Sequence, residues 1–477
     1  MGTIIKNGTI VTAADTFPAD LLIEGETIAL LGSGLPEADH LVIDAAGKLL
    51  LPGGIDVHTH LELPVSGTVS SDDFFTGQRA AAFGGTTSHI DFAIQPKGGS
   101  LFDGLKRWHE KAAGKACIDY SFHANVTDAH DGIYEELPRL AQEGITSVKL
   151  LMAYKGTFQV DDTALFKVMQ IAARHDLLVM VHAENGDVIA QLTADLLAEG
   201  KTAPYYHLAA HPALAESEAT CRAVSMAGIS GARLYVVHMT CDGAVEQLAW
   251  GRAKGYRVMG ESCPQYLGLF AEKLQGTAEN GVFYKNPFEG AKYVCSPPLR
   301  TEADAETLWS ALADNTLQVV STDHCPFFFE GGINGRLPGK ELGRDDFTRI
   351  PNGLPGIEER LVVTWHWGVN GRRITPNRFV ALTSTNPARI FGMYPRKGTI
   401  AVGSEADLII WDPAARRTIQ ASRHHMNTDY NVYEGSEVTG WPEKVFLRGR
   451  LIVDGEEWLG EPGTGNFIHR QRTDVVL

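Results

Sequence analysis

Positive charge is in short supply in this chain. Its 42 lysines and arginines face 58 aspartates and glutamates, a formal net charge of −16 over 477 residues. Such a balance lacks the basic footprint of a nucleic-acid binder and disfavours a strongly anionic substrate. Long apolar runs are missing as well: nothing reaches the roughly 18 residues that a membrane-spanning helix needs. The N-terminal stretch MGTIIKNGTIVTAAD has no charged segment followed by an apolar core and a small-residue cleavage site, so no secretory leader is expected. Cysteine is sparse and scattered. Cys117, Cys221, Cys241, Cys263, Cys295 and Cys325 form no C-x-x-C pair and read as reduced core or pocket residues in the cytoplasm.

What is present is an alternation of strands and helices. Apolar, β-branched segments occur at GIDVHTH (54–60), TTSHIDFAI (86–94), DYSFHANV (119–126) and SVKLLMAY (147–154). Four more follow at LLVMVHAE (177–184), RLYVVHMT (233–240), YRVMGESC (256–263) and LQVVSTDH (317–324). Helix-like segments with acidic starts lie between them, such as DDTALFKVMQIAARH and DGAVEQLAWGRAKG. Eight such units predict a (β/α)8 TIM barrel over 53–390, although an open doubly wound sheet has the same rhythm. The flanks read differently. Residues 1–52 and 391–460 carry short alternating strands broken by glycine, which predicts one small β-sandwich built from both termini. Residues 461–477 read as an arm or a disordered tail.

Polar residues interrupt the ends of these apolar strands. His58 and His60 close the first, His182 the fifth, His238 the sixth and Asp323 the eighth. The carboxyl ends of barrel strands meet at one face, so these residues are expected to converge there as a metal site. Lys149 is the odd member, an ammonium between Val148 and Leu150 in the fourth strand. Beside metals in a dry site its charged form is disfavoured. The neutral amine can add carbon dioxide to give a carbamate able to bridge two ions. Asp323 is placed both to ligate and to take a proton. His324 should face away in a supporting role, and His424 and His425, outside the barrel, read as surface or interface residues.

The motifs PGGIDVHTH, VKLLMAYKG, VHAENGD, VVHMT, CSPPLR, STDHCPF, GRDDFTRIPNG and TSTNPARIFG together resemble the dihydropyrimidinase and D-hydantoinase family of the amidohydrolase superfamily. The resemblance spans essentially the whole chain. It implies two divalent metals per subunit, usually zinc. One would be held by His58, His60, Lys149 and Asp323, and the other by Lys149, His182 and His238, with Lys149 carboxylated. It further implies that Tyr154 donates to the developing oxyanion. Backbone groups at Ser296 and Asn352 would hold the cyclic imide, and Leu63, Met152 and Phe158 would line the pocket for the ring substituent. Val65 stands where the family pattern places an aromatic.

The implied reaction is hydrolytic opening of a 5,6-dihydropyrimidine or a 5-substituted hydantoin by a metal-bridging hydroxide, giving an N-carbamoyl amino acid. A homotetramer is the family's assembly. Three alternatives stay open: an allantoinase, a dihydroorotase-like hydrolase, and a non-catalytic assembly protein on the same fold. A dihydroorotase should bring an arginine after the first histidine pair, whereas Leu61-Glu62-Leu63 stands there. Scaffold relatives lose the metal ligands, and this chain keeps all six.

Overall fold

The computed structural model describes residues 2–276 and 287–477. Eight strands lie side by side, in chain order, in one parallel sheet: β1 (Gly54–Thr59), β2 (Thr86–Ile94), β3 (Asp119–Asn125), β4 (Ser147–Leu151), β5 (Leu178–His182), β6 (Arg233–Val236), β7 (Val258–Ser262) and β8 (Val319–Val320). A parallel bridge between Thr59 and His324 joins the sheet's two edges, so it closes as a barrel rather than remaining an open sheet. Helices return the chain between strands, and their ends are written locally. In Leu101–Ala112 the Ser100 hydroxyl accepts from Phe102 N while Asp103 reaches back to the Ser100 backbone. Leu101, Leu105, Trp108 and Ala112 supply the buried stripe.

Period-two alternation decides what each barrel strand offers to either side. Val148 and Leu150 of β4 and Val179 and Val181 of β5 pack outward with Leu165, Val168 and Met169 of the helix Asp162–His175. Leu178 and Met180 join Ile55, Phe92 and Tyr235 in a separate inner cluster. The β4–β5 register pairs Lys149 with Met180 and Leu151 with His182. Lys149 therefore stands one layer deeper than His182 on the same inner face.

Several strands are shorter than the sequence predicts. The eighth segment pairs only at Val319–Val320, and β6 ends at Val236. Just beyond, His238 (φ 39°) and Asp323 (φ 52°) take up left-handed backbone, which ends a ladder and turns each side chain towards the barrel mouth. Both residues thus sit past the strand ends rather than within the strands.

The two termini build the second layer. Thr27–Gly32, Asp20–Glu24, Thr3–Lys6 and Leu41–Asp44 form a four-stranded sheet. Leu49–Pro52 and Thr9–Val11 join the C-terminal strands Leu408–Thr418 and Glu437–Leu447 in a seven-stranded one. Ile5, Ile10, Leu21, Ile23, Leu408, Ile410 and Phe446 share the core between the two sheets. Residues 461–477 are an ordered arm, not a disordered tail. Tyr120 N donates to Asn466 O and Ile468 N to Tyr120 O, and Ile468 is buried in the inner barrel cluster. Arg470 is buried too, donating to Ser121 Oγ at 2.9 Å and Ser147 Oγ at 3.0 Å. The sequence left arm and tail both open because a segment that borrows its apolar contacts from distant strands has no periodicity of its own.

Candidate metal centre and substrate cavity

A cavity of about 250 Å³ opens at the carboxyl end of the barrel. His58, His60, Lys149, His182, His238 and Asp323 all line it, although they lie up to 265 positions apart in the chain (323 − 58). His58 Nε2 and His60 Nε2 lie 3.2 Å and 3.1 Å from Asp323 Oδ1. The His182 and His238 rings are 4.6 Å apart, and His238 stacks 5.4 Å from His58. Burial pushes the His58 and His238 imidazoles well below their ordinary values, so they are neutral and carry free lone pairs. Burial would raise Asp323, but the adjacent His58 and His60 hold it below the usual carboxylate range.

Lys149 is 4% exposed, and its Nζ lies 4.8 Å from the Phe92 ring centroid. Among the described residues its ammonium has no hydrogen-bond or ion-pair partner. Burial pushes it down to about 8, against the opposing pull of Asp323 and Glu261. A lysine of that kind deprotonates readily near neutral pH.

This donor set fits metal ions. The ligand atoms of His58, His60 and Asp323 all lie within 4.8 Å of one another. His60 Nδ1 and His238 Nδ1 are buried without a partner, a state that polar atoms in protein interiors rarely keep. Two other histidines of the cavity each have one ring nitrogen held by a carboxylate: His58 Nδ1 is 2.5 Å from Glu261 Oε1, and His182 Nε2 is 2.8 Å from Glu184 Oε2. Carboxylate–histidine pairs of this kind orient an imidazole and fix its tautomer for ligation.

Sequence reasoning missed both glutamates. Glu261 interrupts an apolar strand as Lys149 does, and that anomaly was a usable signal. Glu184 lies in the VHAENGD motif and is shared with His211, whose Nδ1 is 3.0 Å away. Asn125, at the end of β3, also lines the cavity with a buried, unpartnered Oδ1. It had no motif to mark it.

The expected substrate contacts largely converge. Tyr154, Ser296, Asn352, Leu63 and Phe158 line the cavity, with Val65 beside them. Tyr154 stands beside Ser296 and Asn352 in the lining, and burial holds its phenol above the ordinary range. Asn352 Nδ2 donates to Ser296 Oγ at 3.0 Å. Tyr154, like His238 and Asp323, has left-handed backbone (φ 68°), so three side chains of this site are held in a conformation that non-glycine residues seldom adopt.

Met152 is the correction. It is buried among the outward core residues and does not line the cavity, where Leu151 stands instead. Pleat parity explains it: Lys149 and Leu151 share the inner face, and Leu150 lies on the opposite one. His324 is buried against Asp72, its Nε2 3.0 Å from Oδ2, a structural role. His425 stacks on Phe83 at 3.5 Å and shares Glu358, and His424 bonds near Asn431, both remote from the cavity. Among the described residues no helix is long and apolar enough to cross a membrane.

The Amidohydrolase family profile matches residues 49–452. The chain is 49% identical to a D-hydantoinase of Geobacillus stearothermophilus, covering 100% of this chain and 98% of that protein. It is 40% identical to a dihydropyrimidinase of Rattus norvegicus, covering 98% and 88%. The crystal structure of a dihydropyrimidinase from Brevibacillus agri superposes with a TM-score of 0.95 at 50% identity, over the whole of both chains. An L-hydantoinase structure from Arthrobacter aurescens gives 0.86 at 28% identity, covering 98% and 99%. With the barrel, its donor set and these relatives in agreement, the chain belongs to the amidohydrolase family, in the group that holds the D-hydantoinases and dihydropyrimidinases.

Proposed function

We propose that this protein hydrolyses the ring of 5,6-dihydropyrimidines or 5-substituted hydantoins to N-carbamoyl amino acids, using two divalent ions held by His58, His60, Lys149, His182, His238 and Asp323. The observation that carries the reading is Lys149, a buried amine with no acid partner at the floor of a histidine-lined cavity. Adding carbon dioxide to its neutral form makes an N–C bond and releases one proton. The resulting carbamate would supply the anionic bridge that the other five ligands lack. When bound, the ions supply an acidified water and polarise the ring carbonyl.

The chain's own residues do the rest. Asp323, kept ionised by its histidine neighbours, accepts the water's proton and delivers it to the departing ring nitrogen. Tyr154, a protonated phenol at neutral pH, donates to the carbonyl oxygen as it becomes anionic. Backbone at Ser296 and Asn352 holds the imide, and Leu63, Val65, Leu151 and Phe158 face the ring substituent. Zinc as the metal and a homotetramer as the assembly rest on the family resemblance, and the cytoplasm as the compartment on the six scattered, unpaired cysteines.

Rates for dihydrouracil, 5-phenylhydantoin and allantoin, measured side by side on metal-loaded enzyme, test it. Turnover of either of the first two, lost on chelation and restored by zinc, is expected. A preference for allantoin would move the assignment to an allantoinase. No turnover with any ring, in protein carrying about two metals per chain, would overturn it.

A further inference from the structure

Lys340 is buried like Lys149 and Lys397, and no motif or ligand set accounts for it. Its side chain is fully buried, and among the described residues no carboxylate pairs with it. Its Nζ instead donates to three carbonyls: Val294 O at 2.9 Å, Pro351 O at 2.6 Å and Gly353 O at 2.8 Å. A buried ammonium without a counter-charge is costly to keep, so its three acceptors bear on what it does. Val294 lies two residues before Ser296, and Pro351 and Gly353 flank Asn352 on either side. One ammonium thus ties together, from behind the cavity wall, the two loops whose front edges line the cavity.

The surrounding contacts leave those loops little other freedom. Gly353 N donates to Val294 O at 3.1 Å, so that carbonyl is shared between Lys340 and the opposite loop. A Cβ on Gly353 would run into Cys325 O, which shows the loop packed backbone against backbone. Lys340 is fixed in turn through its own N–H, which donates to Phe328 O at 2.8 Å. The three bonds use every proton of the ammonium, a geometry that no uncharged side chain of similar length reproduces.

We propose that Lys340 is a positioning residue that sets the spacing of the Ser296 and Asn352 loops, and through it the enzyme's affinity for the imide edge of its ring. This rests on the reading that those loops hold the ring. Lys340 touches neither substrate nor the metal ligands. Its removal should therefore weaken ground-state and transition-state binding alike, leaving the chemical step largely intact.

Lys340→Met keeps the length and burial but removes all three donors. KM for the preferred ring should rise at least about tenfold with kcat within about threefold of the parent and metal content unchanged. Met169→Ala, a core truncation in the helix Asp162–His175, is the control for simple destabilisation. It should lower Tm without moving KM. Lys340→Gln, with fewer donors, should fall between parent and Lys340→Met.

A Lys340→Met enzyme whose KM moves no more than that of Met169→Ala would overturn the proposal while leaving the site's function intact. A fall in kcat at constant KM would overturn it as well. A parent enzyme that opens none of the rings would remove the reading of the site, and the clamp with it. If neither Lys340 variant folds, the residue serves folding rather than positioning.

Discussion

At the scale of single residues, Lys149 and Tyr154 separate metal binding from chemistry. Lys149→Ala deletes the one side chain assigned to both ions, so metal content and turnover should fall together while far-UV circular dichroism stays barrel-like. Lys149→Arg should fail equally, because a guanidinium stays protonated and forms no carbamate. Full metal content with normal turnover in either variant would sink the bridging role. Tyr154→Phe removes one oxygen from a side chain that lines the cavity together with Ser296 and Asn352. Losing one such donor typically lowers turnover roughly a hundred- to a thousandfold, and metal content should not change because a phenol is outside the ligand set. Turnover within about threefold of the parent would reduce Tyr154 to a packing residue. Lys149 was legible in the sequence because it breaks a local rule, and Tyr154 only through the family resemblance. A lysine inside an apolar strand is an anomaly that needs a partner, whereas Asn125 ends a strand and Lys340 opens a short 3-10 turn, where polar residues are ordinary.

At the scale of elements, the C-terminal arm is the segment whose role the tertiary structure supplies. Phe467 pairs with Tyr120 of β3, Ile468 is buried with Ile390 and Phe391, and Arg470 reaches β4 through Ser147. Ile468 and Arg470 therefore anchor the arm in the barrel's core. Ile468→Ala should destabilise the protein by about 2–5 kcal/mol, the range for truncating a buried aliphatic side chain. Equilibrium denaturation would measure this, with metal content and KM unmoved in the folded enzyme. A loss below about 0.5 kcal/mol, as for a surface site, would return the arm to the status of a loose tail.

At the scale of the whole molecule, barrel and β-sandwich are tied by a cluster of opposite charges. Lys397 Nζ lies 2.7 Å from Asp119 of β3, 2.6 Å from Glu405 and 2.6 Å from Asp407, and Arg448 also pairs with Asp119. The three carboxylates are close enough for a metal ion, but the ammonium stands among them. Burial alone would lower Lys397, yet Asp407, Asp119 and Glu405 raise it above the ordinary lysine value. A raised lysine contributes stability that is complete below its unfolded value and is lost only as pH climbs through the folded one. At neutral pH the contribution is therefore fully present.

Lys397→Met leaves the carboxylates without that cation and should cost about 3–5 kcal/mol near neutral pH. Carboxyls buried that way have folded values above their unfolded ones, so they destabilise the variant most at high pH and least once protonated. The Tm gap between parent and variant should accordingly narrow as pH falls from about 8 to about 5. A gap independent of pH would show that packing, not charge, makes Lys397 matter.

The sequence by itself determined the class of fold and which polar side chains would meet at the barrel mouth. Period-two apolar runs alternating with capped helices leave few architectures, and donors placed at their carboxyl ends carry their meaning wherever the strands go. It did not determine which side of β4 faces the cavity at Met152, how far β6 and β8 pair, or that the C-terminal arm buries Ile468 and Arg470 against the barrel. Those outcomes depend on contacts between segments far apart in the chain. Burial of Ile468 against Phe391, the left-handed turns at His238 and Asp323, and the three carbonyls around Lys340 exist only once the barrel has closed.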